Sequence, residues 1–324
     1  MRLIFLGTPA FAVPTLEAIV KAGHEVAAVL TQPDRPSGRG QNAAASPVKQ
    51  AALRLGLTVY QPERVRRPEA VEYLRGIPSE AMVVVGYGQI IPQAAIDLAP
   101  LGIINVHASL LPKYRGAAPI QWAIARGETR TGVTTMRIDA GLDTGEMLLK
   151  AETEIGLEEN AVELGARLAA IGADLLVETL EGLGTGSIVA EKQDHAQATL
   201  APLLKKEDGV IDWSEAARAI HNRVRGLQPW PGARTSFRGA PLHLWKTRKS
   251  ATGGARADGP RGYPDRPTTS PGRFVSLKPL VVVCGEGGLE LLEVQLEGRK
   301  RISAADFANG QRLTDNDILG EALH

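Results

Sequence analysis

The segment LGIINVHASLLPKYRGAAPIQWAIARG, residues 101–127, sets the fold class of this 324-residue chain. Its apolar opening from Leu101 reads as a strand, and Asn105 and His107, two positions apart, share one face of it near its end. Two prolines and a glycine then turn the chain, and helical spacing resumes at Ile120, Trp122, Ala123 and Ile124 until Gly127 stops it. Strand, polar turn and crossover helix form one unit of an open α/β sheet, a fold that holds ligands beyond the carboxyl ends of its strands.

Outward from this unit, strand signals near 2–7, 25–31, 57–60, 80–86 and 131–139 alternate with helical periodicity. Residues 1–188 therefore read as an α/β, doubly wound, Rossmann-like domain whose mostly parallel sheet is covered on both faces. Thr8 and Pro9 look like an N-cap and first helical position ahead of the stripe Phe11, Val13, Leu16, Ile19 and Val20. Ser46-Pro47 opens a second helix that Gly56 closes, and an amphipathic helix from about Glu158 to Leu180 ends the domain. From 189 to 206 the pattern gives way to polar residues ending in Lys205-Lys206, the expected linker.

Residues 207–324 begin with a helix through Ala217, Ile220, His221 and Val224, with Arg218, Arg223 and Arg225 expected on its exposed side. Short strands at 242–245, 274–277, 280–284 and 289–296, separated by glycine turns, suggest a smaller C-terminal β-barrel of OB-like type, closed by a capped helix from Ser303 to Ala308. Within it, residues 247–273 are rich in Gly, Pro, Arg, Ser and Thr and read as a mobile, solvated insertion between barrel strands.

Composition narrows the function classes. Hydrophobic residues make up 44% and charged residues 23%, the balance of a soluble globular protein, and the length favours two domains. The single cysteine, Cys284, excludes an internal disulfide and sits in LVVVC as a small buried apolar residue. No apolar run is long enough to span a bilayer and the opening run is too short for a signal peptide, so a cytoplasmic location with no membrane partner is expected. The first turn reads Gly7-Thr8-Pro9-Ala10-Phe11-Ala12 rather than Gly-x-Gly-x-x-Gly, which argues against a nicotinamide cofactor; no Gly-Lys-Ser/Thr phosphate loop and no metal-binding cluster occur. Net charge is +1, but residues 1–203 hold 18 basic against 22 acidic residues while 204–324 hold 19 against 14, which makes the second half the better contact for a polyanion.

A second segment supplies a carboxylate. Val133 to Asp139 is a β-branched strand, and the loop Ala140 to Gly145 sets Asp143 between two glycines, where it is expected to face His107. Acyl transfer to an amine needs a base, a donor for the tetrahedral oxyanion and a dry pocket. His107, Asn105 and Asp143 fill these roles without a covalent intermediate, since a carboxylate beside an imidazole fixes its tautomer and strengthens it as a base. A strand-end histidine is also often a satisfied core residue, and aspartate in a glycine loop a turn former; it is the three on neighbouring strand ends that point to catalysis. Ser109 lacks the Gly-x-Ser-x-Gly elbow of a serine nucleophile.

Asn105 to Ile120, NVHASLLPKYRGAAPI, together with GLDTG at 141–145 resembles the folate-dependent formyltransferases. FLGTP at 5–9, TQPDRPSGRG at 31–40 and HNRVRGLQPWPGA at 221–233 resemble the branch of that family that acts on initiator methionyl-tRNA. The resemblance covers most of the chain and weakens after Lys246. It implies a 10-formyltetrahydrofolate co-substrate on the first domain, formyl transfer to the α-amino group of the esterified methionine, and a C-terminal barrel that helps hold initiator tRNA; a monomer is expected. It further implies Asn105, His107 and Asp143 as the catalytic trio and Ser109, Leu110, Leu111 and Pro112 as the folate lining. Arg35 and Arg39 would then reach the acceptor end of the tRNA, with Lys205 and Lys206 extending a basic track along its phosphates. This chain departs from relatives at Ala108, where glycine is common, and at Gln41 and Asn42, where lysines are common and grip the tRNA more firmly; the insertion has no clear counterpart. Rival readings keep the chemistry on another amine, that of a sugar nucleotide or glycinamide ribonucleotide, pass the formyl group to water, or reduce the chain to a non-catalytic tRNA-binding module. The 31–40 loop and the Trp230 motif favour tRNA, and the intact trio favours an enzyme.

Overall fold

The computed structural model of the protein describes residues 1–37, 42–250 and 270–321; Arg39 and the greater part of the arginine-rich insertion lie outside the described residues. The chain divides into two compact units, one of Met1–Pro119, Arg130–Glu154 and Gly165–Pro202, the other of Ile120–Thr129, Ile155–Leu164 and Leu203–His324.

The first unit is built on strands β1 (Arg2–Gly7), β2 (Glu25–Leu30), β3 (Arg35–Ser37), β4 (Asn42–Ala44), β5 (Val59–Tyr60), β6 (Ala81–Val85), β7 (Ile103–His107), β8 (Arg130–Arg137) and β9 (Met147–Glu154). Its helices are α1 (Val13–Lys21), α2 (Pro47–Arg54), α3 (Pro68–Arg75) and α4 (Gln93–Ile96), followed by α5 (Pro119–Ala125) and α6 (Ala161–Thr185), which run on into segments of the other unit. Seven strands form one sheet in the order β5-β2-β1-β6-β7-β8-β9. From β5 to β7 neighbours are parallel, and β7-β8 and β8-β9 are antiparallel. Central strands covered on both faces need unbroken apolar runs, and all five residues of β6 are buried. By contrast β9, MLLKAETE, alternates half-buried and exposed positions after its first two residues, as an edge strand with one wet face does.

From β1 the strand order runs outward through β2 to β5 and then resumes with β6 on the other flank of β1, so the loops after β1 and β6 diverge at a switch point between those strands. There Thr8 differs from the sequence reading. A short 3₁₀ turn at Ala10–Ala12 precedes α1, no side chain caps either, and the Thr8 hydroxyl instead donates to the Tyr87 carbonyl at 3.0 Å. Ser46 does cap α2, accepting from the Lys49 N–H at 3.1 Å.

The second unit contains α7 (Ala217–Gly226), strands β10 (Ala233–Phe237), β11 (Ala240–Lys249), β12 (Phe274–Leu277), β13 (Leu280–Val283), β14 (Gly288–Leu296) and β15 (Ile302–Ser303), and α8 (Ala304–Gly310). The strands are antiparallel in the order β10-β11-β14-β13-β12, with β15 on β14. Ile318 and Leu319 bridge Arg273 and Phe237, so the chain's last strand-like segment joins the two edges of the sheet. Phe237 meets Phe307 edge-on at 5.1 Å in the core, and Ser303 caps α8 through the Asp306 N–H at 3.0 Å.

Arg225, expected on the exposed side of α7, is buried. Its guanidinium donates to Asn222 Oδ1 within α7 and to the carbonyls of Gly156 and Glu159 at 3.0 and 2.9 Å, two partners 69 and 66 residues away that periodicity does not reveal. Cys284 is 4% exposed, and burial pushes its thiol up to about 12. A thiol so placed has almost no thiolate at pH 8. We expect an aromatic disulfide reagent at pH 8 to leave the folded protein unlabelled and to titrate one thiol in denaturant; rapid labelling of folded protein would contradict this packing. Among the described residues no helix is long and apolar enough to cross a membrane.

Candidate active site

Ile103, Asn105 and His107 share one face of β7, while Ile104 and Val106 share the other. α6 covers the second face closely: a Cβ on Gly172 would stand 2.8 Å from Val106 Cγ1. On the first face the apolar core of Ile4, Leu6, Met82, Val84 and Ile103 lies towards the start of β7, and Asn105 and His107 follow as the strand ends.

His107 is 5% exposed, and its Nε2 lies 2.9 Å from the carbonyl oxygen of Tyr114. A carbonyl only accepts, so Nε2 carries the proton in the neutral ring and Nδ1 is left with its lone pair. Nδ1 lies 3.7 Å from Asp143 Oδ2. Asn105 is half-buried, and among the described residues its carboxamide has no hydrogen-bond partner.

Asp143 reaches His107 by a route that strand order alone does not suggest. β8 runs antiparallel to β7, with Thr134 opposite His107 and Arg137 opposite Ile104. The loop that follows β8 therefore leaves the sheet three residues short of His107, a gap of about 10 Å along the strand. Two features fold the loop back. The Asp139 carboxylate accepts from the Gly141 N–H at 3.0 Å and from the Thr144 hydroxyl at 2.7 and 2.9 Å. Gly145 lies against the strand it came from, where a Cβ would stand 1.9 Å from the Arg137 carbonyl. Asp143 itself has φ 52° and accepts from the Gly116 N–H at 2.8 Å through Oδ2. Left-handed backbone at a side-chain-bearing residue costs about 1–3 kcal/mol and persists where surroundings impose it. Tyr114, whose carbonyl orients the imidazole, is likewise left-handed at φ 61°, and its N–H donates to Thr199 Oγ1 at 2.9 Å.

The turn after His107 is held by β8. Thr134 Oγ1 donates to the Ser109 carbonyl at 2.7 Å and accepts from the Leu111 N–H at 3.1 Å. The Ser109 hydroxyl donates to the Lys113 carbonyl at 2.7 Å, and Ser109 and Leu111 are buried. Leu110 and Pro112 keep part of their surface, and Leu142, next to Asp143, is 64% exposed.

Sequence reasoning passed over a second polar group, at the switch point. Gln32 Nε2 donates to the Tyr87 carbonyl at 3.1 Å, Gln89 Nε2 to Gln32 Oε1 at 3.2 Å, and Gln61 Nε2 to the Gln32 carbonyl and to Asp34 Oδ1, both at 2.8 Å. Hydrogen bonds from Lys49 and then Gln61 hold the Asp34 carboxyl below its usual range. The chain is thus pinned just before Arg35, which is exposed at the start of β3. The only cue to these glutamines in the sequence is their place after predicted strands. In the second unit Lys205 and Lys206 are exposed ahead of α7, and the Lys205 N–H donates to Asp208 Oδ2 at 2.6 Å.

Comparison with known proteins bears on what this site serves. The formyl transferase family matches residues 1–180, and the formyl transferase C-terminal domain matches residues 203–312. The methionyl-tRNA formyltransferase of Solibacter usitatus is 75% identical over 321 residues, covering 99% of both chains, and that of Koribacter versatilis is 56% identical over 323 residues, again 99% of both. Among solved structures, an N-formyltransferase from Helicobacter canadensis in complex with folinic acid and dTDP-3-aminofucose has a TM-score of 0.65 at 18% identity, over 89% of this chain and 98% of that one. HypX from Aquifex aeolicus in complex with tetrahydrofolic acid has a TM-score of 0.62 at 14% identity, over 95% of this chain and 47% of the other. At such identities these two likenesses speak to fold alone.

Proposed function

The chain belongs to the formyl transferase family, and from that premise we propose that it transfers the formyl group of 10-formyltetrahydrofolate to the α-amino group of methionine esterified to initiator tRNA. It is a methionyl-tRNA formyltransferase. One observation carries the chemistry: an imidazole whose Nε2–H is engaged by the Tyr114 carbonyl and whose Nδ1 faces the Asp143 carboxylate, on the same strand face as the free carboxamide of Asn105.

In this reading Asn105 turns its amide N–H towards the formyl oxygen. As the methionine nitrogen bonds to the formyl carbon, the carbonyl electrons move onto that oxygen and the Asn105 N–H stabilises the charge. His107 Nδ1 takes the proton released by the attacking nitrogen, and the imidazolium so formed is paired by Asp143. Collapse of the tetrahedral species breaks the bond from carbon to N10, which accepts the proton and leaves as tetrahydrofolate. No covalent enzyme intermediate is required. Leu110 and Pro112 offer apolar surface to the folate, while Ser109 and Leu111 hold the turn that presents them. Arg35 and Arg39 contact the acceptor end of the tRNA, and Lys205 and Lys206 its phosphates. Residues 1–188 form the catalytic domain and 207–324 the tRNA-binding domain, joined through residues 189–206, acting as a monomer in the cytoplasm.

The test is acceptor choice. Purified protein is given 10-formyltetrahydrofolate with methionyl initiator tRNA, a 3-amino-sugar nucleotide, glycinamide ribonucleotide, or water alone, and formyl product is measured. Rapid formylation of the charged tRNA with the others near background is the expected outcome; preferential formylation of a sugar nucleotide or of glycinamide ribonucleotide, or simple hydrolysis, would replace this assignment.

A further inference from the structure

The segment from Glu191 to Ala201, read from sequence as part of a linker, is hydrogen-bonded within the first unit to both loops of the candidate site. Glu191 exchanges two backbone hydrogen bonds of 2.8 Å with Met147 at the head of β9. At its other end the Arg115 N–H donates to the Thr199 carbonyl at 2.8 Å and the Ala201 N–H to the Arg115 carbonyl at 2.7 Å. Between these ties lies Gln193, a polar side chain only 6% exposed. Its Nε2 donates to the Asp143 carbonyl at 2.9 Å and to the Gly145 carbonyl at 2.8 Å, using both amide protons on the one loop. Its Oε1 accepts from Arg115 Nε at 3.0 Å and from Arg115 NH2 at 2.6 Å. Arg115 is itself 6% exposed and shares its remaining donors with His195 Nδ1 at 3.2 Å.

We infer that Gln193, oriented by Arg115, is a positioning residue for formyl transfer that fixes the Asp143 loop so that its carboxylate stands against His107. The inference rests on the reading of Asp143 as a catalytic group. The geometry is closed on both sides: the next residue after Arg115, Gly116, donates its N–H to the Asp143 carboxylate, while Arg115 acts through Gln193 on the Asp143 backbone. One dipeptide thus fixes both ends of the same aspartate. The close fit extends to Gly116, at φ 119°, where a Cβ would stand 2.7 Å from the Ala201 carbonyl. Without Gln193 the buried Gly145 carbonyl and the part-buried Asp143 carbonyl lose this donor in a loop whose left-handed residue already needs support, and the loop has reason to relax. The loop, not the binding surface, is what would move, so turnover should fall while substrate affinity holds.

The experiment measures kcat and KM for 10-formyltetrahydrofolate and charged initiator tRNA in Gln193→Met, Gln193→Glu, Asp143→Asn and the double variant Asp143→Asn/Gln193→Met, together with thermal melting. Gln193→Met removes the donors and the acceptor at similar volume; Gln193→Glu keeps the acceptor for Arg115 and loses only the donors to the loop. Both should lower kcat by about 10- to 100-fold with either KM within about twofold, the range of a misplaced catalytic group. In the Asp143→Asn background the Gln193→Met change should cost less than about threefold, because a group acting through Asp143 has nothing left to position. Full activity in both Gln193 variants, a loss in KM alone, an undiminished loss in the Asp143→Asn background, or failure of both variants to melt cooperatively would overturn the inference. A crippled Asp143→Asn beside active Gln193 variants removes the inference alone, whereas a fully active Asp143→Asn removes the reading of Asp143 and the inference with it.

Discussion

Replacing His107 by alanine should lower kcat by about 10³-fold, the middle of the range for loss of a positioned general base. KM for the folate and affinity for initiator tRNA should stay near wild type, because a buried ring offers the substrates little contact surface. The ring has a structural duty as well: its Nε2–H serves the Tyr114 carbonyl, and alanine leaves that acceptor unpaired at about 1–3 kcal/mol. Activity loss and instability must therefore be separated. His107→Gln does so, since its amide can still donate towards Tyr114 but cannot accept a proton at neutral pH. Equal losses of kcat in both variants, with the glutamine variant melting closer to wild type, would assign the effect to the base. Turnover within tenfold of wild type in either variant would discard the mechanism.

His107 and Asn105 were legible in the sequence because two signals coincide on them. Period-2 spacing at the end of an apolar run fixes their common face, and the turn residues that follow mark a strand's carboxyl end. The parallel core was legible for a similar reason, as continuous apolar runs such as AMVVV have few other uses. The edge strand β9 was not, because its alternating lysine and glutamates resemble a solvated segment. Nor was the direction of β8: a strand buried along nearly its whole length reads the same whichever way it runs. Asp143 was placed beside His107 from its chemistry, and the fold-back of its loop depends on Asp139 and Gly145 meeting partners that no spacing rule encodes. Gln193 and Arg225 show the same limit. Their partners are backbone carbonyls 48 to 69 residues away, and a carbonyl leaves no trace in side-chain patterns.

Asn105→Ala should lower kcat by about 10²- to 10³-fold, the cost of removing one donor from a developing oxyanion, equivalent to about 2.7–4 kcal/mol of transition-state stabilisation. Charge appears on the formyl oxygen only as the tetrahedral species forms, so the ground-state complex loses little and KM should hardly change. The carboxamide has no partner among the described residues and is half-buried, so its removal leaves no orphaned group and should shift melting only slightly. The substitution that tests sign rather than size is Asn105→Asp, nearly isosteric but anionic. If the amide faces an oxyanion, aspartate sets like charges together and must be worse than alanine; if Asn105 serves only to fill the strand end, the isostere must be the milder change. The order of kcat in wild type, alanine and aspartate variants decides between them, and an aspartate variant more active than the alanine variant would take Asn105 out of the reaction.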